Sequence, residues 1–135
     1  MKLKPPTPQL FDLCDEVTVR VWGLSMLPWL LPGDLLRVAT AVKPKVGDIV
    51  VILRGTTPPL IHRLIAVSEK GVRTQGDSMM TPDSLVSTAQ IGGVVISMRR
   101  FGLPWPLPPL RFARLATPVV HRLLSMRPQR RSIDD

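Results

Sequence analysis

The sequence predicts one mainly β domain with a coiled or closed sheet, followed by a basic amphipathic helix near the C-terminus. Short apolar runs recur between residues 17 and 98, and the first alternates apolar and polar side chains, as a half-buried strand does. Glycine and proline residues separate these runs. Several short strands with frequent turns are typical of all-β barrels and coiled sheets. The length of 135 residues allows one such domain with short tails.

The predicted strands follow one another along the domain, with a turn between successive strands. The first has the clearest period-two pattern, from Val17 to Trp22. Residues 26–31 are compatible with a helical turn, but Pro28 and Pro32 limit its length. Strands are predicted at residues 17–22, 35–40, 48–53, 60–67, 72–75 and 91–98.

Composition changes at both ends of the domain, and these changes set its predicted boundaries. Residues 1–9 are predicted to be a flexible, proline-rich lead, and residues 10–100 the domain. Residues 101–135 are predicted to be a tail that is first proline-rich and extended and then basic.

An amphipathic helix is predicted within this tail. Apolar side chains recur at helical spacing from Phe112 to Leu124, and arginines occupy the opposite face. Pro118 interrupts the pattern, and Thr117 can cap a restart of the helix there.

The composition excludes several classes of function. An apolar content of 44% excludes wholesale disorder. The single Cys14 cannot form a disulfide within the chain, and no Cys-His cluster predicts a zinc site. With three Trp, three Phe and no Tyr, the chain has few side chains for stacking on bases, so nucleic acid is not favoured as a partner. We expect neither a metal nor an organic cofactor.

Positive charge is concentrated in the tail. Residues 99–135 contain eight arginines and two aspartates, whereas residues 1–98 contain ten basic and eight acidic residues. Such a tail attracts an anionic membrane surface; the alternatives are a solvated tail and a helix that covers its own domain. The sequence has neither a signal peptide nor about 18 consecutive apolar residues. The expectation is a cytoplasmic protein, peripheral on the inner membrane surface if the tail binds lipid.

Ser25 and His62 are the candidate catalytic pair. A serine hydroxyl is a poor nucleophile until a neighbouring base removes its proton, and an imidazole can accept that proton and pass it on. Ser25 lies between a predicted strand and a Pro-Gly-Asp turn, and His62 lies inside an apolar strand. The structural alternatives are a serine in a turn and a histidine in the core. The other histidine, His121, lies in the basic tail and is a poor candidate.

Four boxes in the right order resemble the type I signal peptidase family and its relatives, the LexA-type self-cleaving repressors. The boxes are Ser25-Met26-x-Pro28 with Gly33-Asp34, then VGDIVV at residues 46–51, LIHRLI at residues 60–65, and Gly76-Asp77 through Asp83. A single box is a weak signal, because Gly-Asp alone is usually a turn. His62 stands where most bacterial signal peptidases have lysine, which resembles the endoplasmic-reticulum, archaeal and spore-former branch.

The resemblance implies a serine endopeptidase that cleaves an extended peptide or preprotein. It assigns Ser25 as the nucleophile, His62 as the general base and Asp83 as the charge-relay aspartate. Asp77 falls at the family's Gly-Asp turn and is expected to support the loop. The resemblance also implies a preference for cleavage after a small side chain.

The residues around the nucleophile are expected to form the oxyanion hole and the substrate cleft. Gly23 leaves room for a peptide strand to approach, and the Ser25 N–H can donate to an oxyanion. Met26 either lines the cleft or fills the core. Two other functions stay open: a self-processing peptidase, although no helix-turn-helix domain precedes the serine, and a peptide-binding module without turnover.

Overall fold

The mainly β class is confirmed by a computed structural model, which describes residues 8–55, 57–107 and 117–125. Within these residues seven strands form one antiparallel sheet. The strands are β1 (Glu16–Arg20), β2 (Leu35–Ala39), β3 (Ile49–Arg54), β4 (Thr57–Ser68), β5 (Gly71–Gln75), β6 (Ile91–Arg100) and β7 (Leu103–Trp105). The helices are α1 (Pro8–Leu13) and α2 (Thr117–Ser125), with a 3₁₀ turn at Thr88–Gln90.

The sheet order brings strands from both ends of the domain together. The strands lie in the order β1-β2-β6-β3-β4-β5, and β7 pairs with β6. The long strand β6 therefore joins β2 to β3 at the centre. On β4, His62 lies opposite Val50 of β3, while Leu64 lies opposite Thr74 of β5. This pairing places His62 next to the strand that leads into the Gly-Asp loop.

The core lies on both faces of β3. Ile49 and Val51 belong to the larger apolar cluster, with side chains from β1, β2 and β6. Val50 and Ile52 point the other way, into a smaller cluster with Leu64 and Val72. Successive side chains of a strand point to opposite faces, so an uninterrupted apolar run indicates a strand buried on both sides.

The predicted flexible lead is wrong for its last two residues. Pro8 and Gln9 belong to α1, and Phe11 on this helix is buried in the larger apolar cluster. A Cβ added at Gly92 would lie 2.9 Å from Phe11 Cδ1, so glycine is what allows the helix to pack this closely on β6. Residues 1–7 of the predicted lead lie outside the described residues.

The C-terminal predictions are met in part. Residues 103–105 are extended, as the proline-rich pattern indicated, but they also pair with β6, at an edge where Pro104 is tolerated. Helix α2 begins at Thr117, where a restart was predicted, while residues 112–116 lie outside the described part. Among residues 8–55, 57–107 and 117–125, no helix combines the length and apolar character needed to cross a bilayer.

Candidate active site

Ser25 lies in the loop that joins β1 to β2. The two ends of this loop are tied together: the Val21 N–H donates to the Asp34 carbonyl over 2.8 Å, and the Gly33 N–H donates to the Val21 carbonyl over 2.9 Å. Gly23 has a φ of +76°, a conformation that other residues rarely adopt. The chain therefore turns sharply just before the serine, and the Ser25 side chain is left half-buried.

His62 is the buried member of the site. It lies near the middle of β4 and is 4% exposed. Its Nε2 lies 3.0 Å from Ser25 Oγ, and its Nδ1 is hydrogen-bonded to Asp83 Oδ2. In the tautomer that satisfies both contacts, the Ser25 hydroxyl donates to Nε2 and the Nδ1–H donates to the carboxylate. Ser25, His62 and Asp83 thus form the continuous chain of hydrogen bonds that a serine nucleophile requires.

Asp83 is held from the end of β5. Its N–H donates to the Thr74 carbonyl over 2.8 Å, and Arg73 Nη1 donates to the Asp83 carbonyl over 3.1 Å. The Thr74 hydroxyl also donates to Asp83 Oδ2 over 2.8 Å. Strand β5 therefore binds both the main chain and the carboxylate of Asp83, each through its own hydrogen bonds.

The loop after β5 holds the backbone around Ser25. The Ser78 N–H donates to the Ser25 carbonyl over 2.9 Å, and Ser78 Oγ donates to the Leu24 carbonyl over 2.8 Å. A Cβ added at Gly76 would lie 2.5 Å from the Ser25 carbonyl oxygen, closer than van der Waals contact allows. Only glycine at position 76 lets the two loops approach to this distance.

Asp77 is a structural member of the same loop. Both its carboxylate oxygens accept hydrogen bonds from Arg63, over 2.8 and 3.0 Å, and both side chains are almost fully buried. Arg63 directly follows His62 on β4, so this ion pair connects β4 to the loop that holds Ser25. The Thr117 hydroxyl at the start of α2 donates to the Asp77 carbonyl.

The other two Gly-Asp turns differ from each other. Asp48 Oδ2 accepts the Lys45 N–H over 2.8 Å, the turn contact expected from the sequence. Asp34 makes the equivalent contact with the Leu31 N–H, but it is buried and also accepts hydrogen bonds from Nε and Nη2 of Arg100. Arg100 donates in addition to the Trp29 carbonyl over 3.0 Å, which braces the loop after Ser25 from its other side.

A cleft of about 190 Å³ opens beside Ser25. The segment that follows β1 and the start of β4 form its walls, and the residues lining it are Val21, Trp22, Gly23, Ser25, Met26, Arg54, Pro58, Pro59, Leu60 and Ile61. Gly23 and Met26 both line the cleft. Most of the Met26 side chain is nevertheless buried, and its sulfur accepts the Asp77 N–H.

The comparison with protein families agrees with this geometry. The family model described as Peptidase S24-like matches residues 14–96, which is more than half of the chain. The chain belongs to the Peptidase S24-like family. A search of the curated proteins finds no match. The match includes Ser25, His62 and Asp83, and it places the function of this Peptidase S24-like chain among serine peptidases and self-cleaving proteins.

Several contacts of the site were not anticipated from the sequence. No role was assigned from the sequence to Thr74, Ser78 or Arg63, which lie inside or beside the four boxes. Arg100 was counted only among the basic residues of the tail. Each of these residues forms its hydrogen bond with a partner at least nine residues away in the sequence. Thr74, for example, bonds to Asp83, and Ser78 bonds to Leu24.

Proposed function

We propose that this protein is a serine endopeptidase of the signal peptidase type, in which Ser25 attacks the peptide bond, His62 is the general base and Asp83 orients the imidazole. The observation that carries the proposal is the hydrogen-bond chain from Ser25 Oγ through His62 to Asp83 Oδ2. Buried Arg63 and Asp77 support this chain from the side and take no part in the reaction.

The chemistry follows from the order of the hydrogen bonds. His62 Nε2 takes the Ser25 proton while Oγ bonds to the substrate carbonyl carbon, and the carbonyl electron pair becomes an oxyanion that the Ser25 N–H stabilises. Collapse of this intermediate breaks the C–N bond, and the leaving amine takes the proton from Nε2. A water then gives a proton to Nε2 and hydrolyses the acyl-enzyme, which returns Ser25 to its starting state.

The cleft fits an extended peptide. Its walls are the segment that follows β1 and the start of β4, so a substrate strand can lie between them with one carbonyl at Ser25. The lining is mostly apolar, and Gly23 has no atom within 4 Å of an added Cβ. A preprotein or peptide cleaved after a small side chain is the proposed substrate class.

Labelling of Ser25 tests the proposal directly. A peptidyl phosphonate ester with alanine at the reacting position should form a covalent adduct on Ser25, mapped by mass spectrometry of the digest. Ser25→Ala should give no adduct, and Ser97→Ala on β6 should react like the wild type. A wild-type protein that forms no adduct at Ser25, while a known serine peptidase reacts beside it, contradicts the proposal.

Self-processing is the second candidate, because the family includes self-cleaving proteins. The two functions differ in molecularity. Wild-type enzyme mixed with Ser25→Ala protein cuts the inactive chain only if the reaction is intermolecular, whereas self-processing proceeds at a rate independent of protein concentration. Cleavage of an added peptide with multiple turnovers favours the endopeptidase.

An anionic membrane surface is the proposed second partner, and the apolar side chains exposed in the β6–β7 turn and on β7 favour it. Phe101 is 92% exposed, Leu103 62% and Trp105 46%. The tail beyond them adds six of the chain's arginines. Apolar side chains at a loop tip with neighbouring positive charge are suited to the interface of an anionic bilayer.

A further inference from the structure

The buried hydroxyl of Thr74 and the imidazole of His62 bind the same carboxylate oxygen of Asp83. The Thr74 hydroxyl and the His62 Nδ1–H both donate to Asp83 Oδ2. Thr74 has no exposed surface, so water cannot take the place of its hydroxyl. The Asp83 side chain, in contrast, is 27% exposed.

We propose that Thr74 is a positioning residue of the peptidase, whose hydroxyl fixes the Asp83 carboxylate in the rotation that serves His62. The inference rests on the proposed function of Ser25, His62 and Asp83. The terminal torsion of an aspartate is broad, so a single hydrogen bond leaves the carboxylate free to turn. Two donors that converge on one oxygen from different strands restrict that rotation.

The sheet makes the Thr74 hydroxyl a rigid donor. Thr74 lies opposite Leu64 in the β4–β5 pairing, two residues from His62 along β4. Its carbonyl accepts the Asp83 N–H, so the main chain of Asp83 stays in place even when the hydroxyl is removed. Loss of the hydroxyl therefore affects the orientation of the carboxylate more than the path of the loop.

The competing explanation is that Thr74 is present for its shape. A β-branched side chain suits a buried strand position, and valine would then serve equally well. The two explanations predict opposite orders for two variants. Thr74→Val keeps the shape and removes the donor, whereas Thr74→Ser keeps the donor and removes a methyl group.

The rate of phosphonate labelling at Ser25 separates these explanations. Because a hydrogen bond to a charged group is lost, we expect Thr74→Val to react about 10-fold to 100-fold more slowly than the wild type. Thr74→Ser should stay within about 3-fold, despite its small cavity. Thr40→Val, which removes a hydroxyl bound to the Cys14 carbonyl, is the matched control and should react normally. Labelling of Thr74→Val at the wild-type rate, or slower labelling of Thr74→Ser than of Thr74→Val, overturns the proposal.

Proton NMR of the imidazole gives a readout that does not depend on labelling. The His62 Nδ1 proton, measured at low pH, should give a downfield signal in the wild type and in Thr74→Ser. In Thr74→Val this signal should move upfield or broaden by exchange with water. If the wild type does not react at Ser25 but the signal follows this pattern, the proposed function fails and the positioning role stands. An unchanged signal in Thr74→Val contradicts the positioning role.

Discussion

At the scale of single residues, the identity of the base predicts how activity depends on pH. In the proposed mechanism the proton acceptor for Ser25 is an imidazole, and free histidine side chains lose their proton at a much lower pH than free lysine side chains. Only the neutral imidazole accepts a proton, so the labelling rate should rise with pH through one limb and then level off. A rate that rises only above about pH 9 contradicts His62 as the base.

Substitutions of Asp83 and Asp77, which lie six positions apart, are expected to have different effects on reactivity and stability. Asp83→Asn should slow labelling by about 10³-fold to 10⁴-fold with little change in Tm, because the amide favours the tautomer with a proton on Nε2, which cannot accept the Ser25 proton. Asp77→Asn leaves Arg63 buried without its counter-ion, a loss of about 3 kcal/mol and roughly 10 °C in Tm. Thermal unfolding and labelling rates measured on both variants check the division. A large fall in Tm for Asp83→Asn alone would reverse these roles.

At the scale of elements, the loop after β5 is expected to control the position of the nucleophile. In Gly76→Ala the new Cβ would meet the Ser25 carbonyl oxygen at 2.5 Å, and a backbone atom can move away only if the loop moves with it. A displacement of about 1 Å in a reacting group can cost roughly 100-fold in rate, so labelling should fall by about that factor. Gly102→Ala adds a Cβ in open space at a φ of +76°, so it strains the backbone away from Ser25 without a clash; it is the control and should label normally. Normal labelling of Gly76→Ala contradicts this function of the loop.

The same scale shows which parts of the structure the sequence could predict. Alternation and turn residues are local signals, so all six predicted strands exist, with ends that differ by at most three residues. Helix α1 was missed because its six residues carry a proline and no strong period. The Arg100–Asp34 pair was missed because no local pattern connects residues 66 positions apart. The boundaries at residues 10 and 100 stay predictions.

The candidate site was predictable for a different reason. Its three principal residues stand in boxes whose order and spacing resemble a known arrangement, and the structure brings those residues within hydrogen-bonding distance. The supporting residues could not be found in this way, because a threonine or serine next to a box is common. Their importance depends on burial and on the atom they reach, which only the folded chain reveals.

At the scale of the whole molecule, the distribution of charge and exposed apolar side chains predicts where the protein binds. Each basic residue near an anionic surface contributes about 1 kcal/mol, so the arginines of residues 99–135 together favour attachment at low salt. We expect the protein to sediment with anionic vesicles at low salt and to be released at high salt, and to ignore neutral vesicles. Deletion of residues 101–135 should abolish the binding.

Substitutions can separate the contribution of the β6–β7 hairpin to membrane binding from that of the basic tail. Phe101→Ser with Leu103→Ser removes two exposed apolar side chains without opening the core, and it should weaken binding to anionic vesicles several-fold through lost burial in the bilayer interface. The matched control is Val42→Ser with Val46→Ser, which removes exposed apolar side chains next to two lysines elsewhere and should leave binding unchanged. If the hairpin variant binds like the wild type while charge removal in the tail abolishes binding, attachment is electrostatic alone. If the intact protein does not bind anionic vesicles at low salt, the membrane proposal is wrong, and the exposed hairpin must serve another partner.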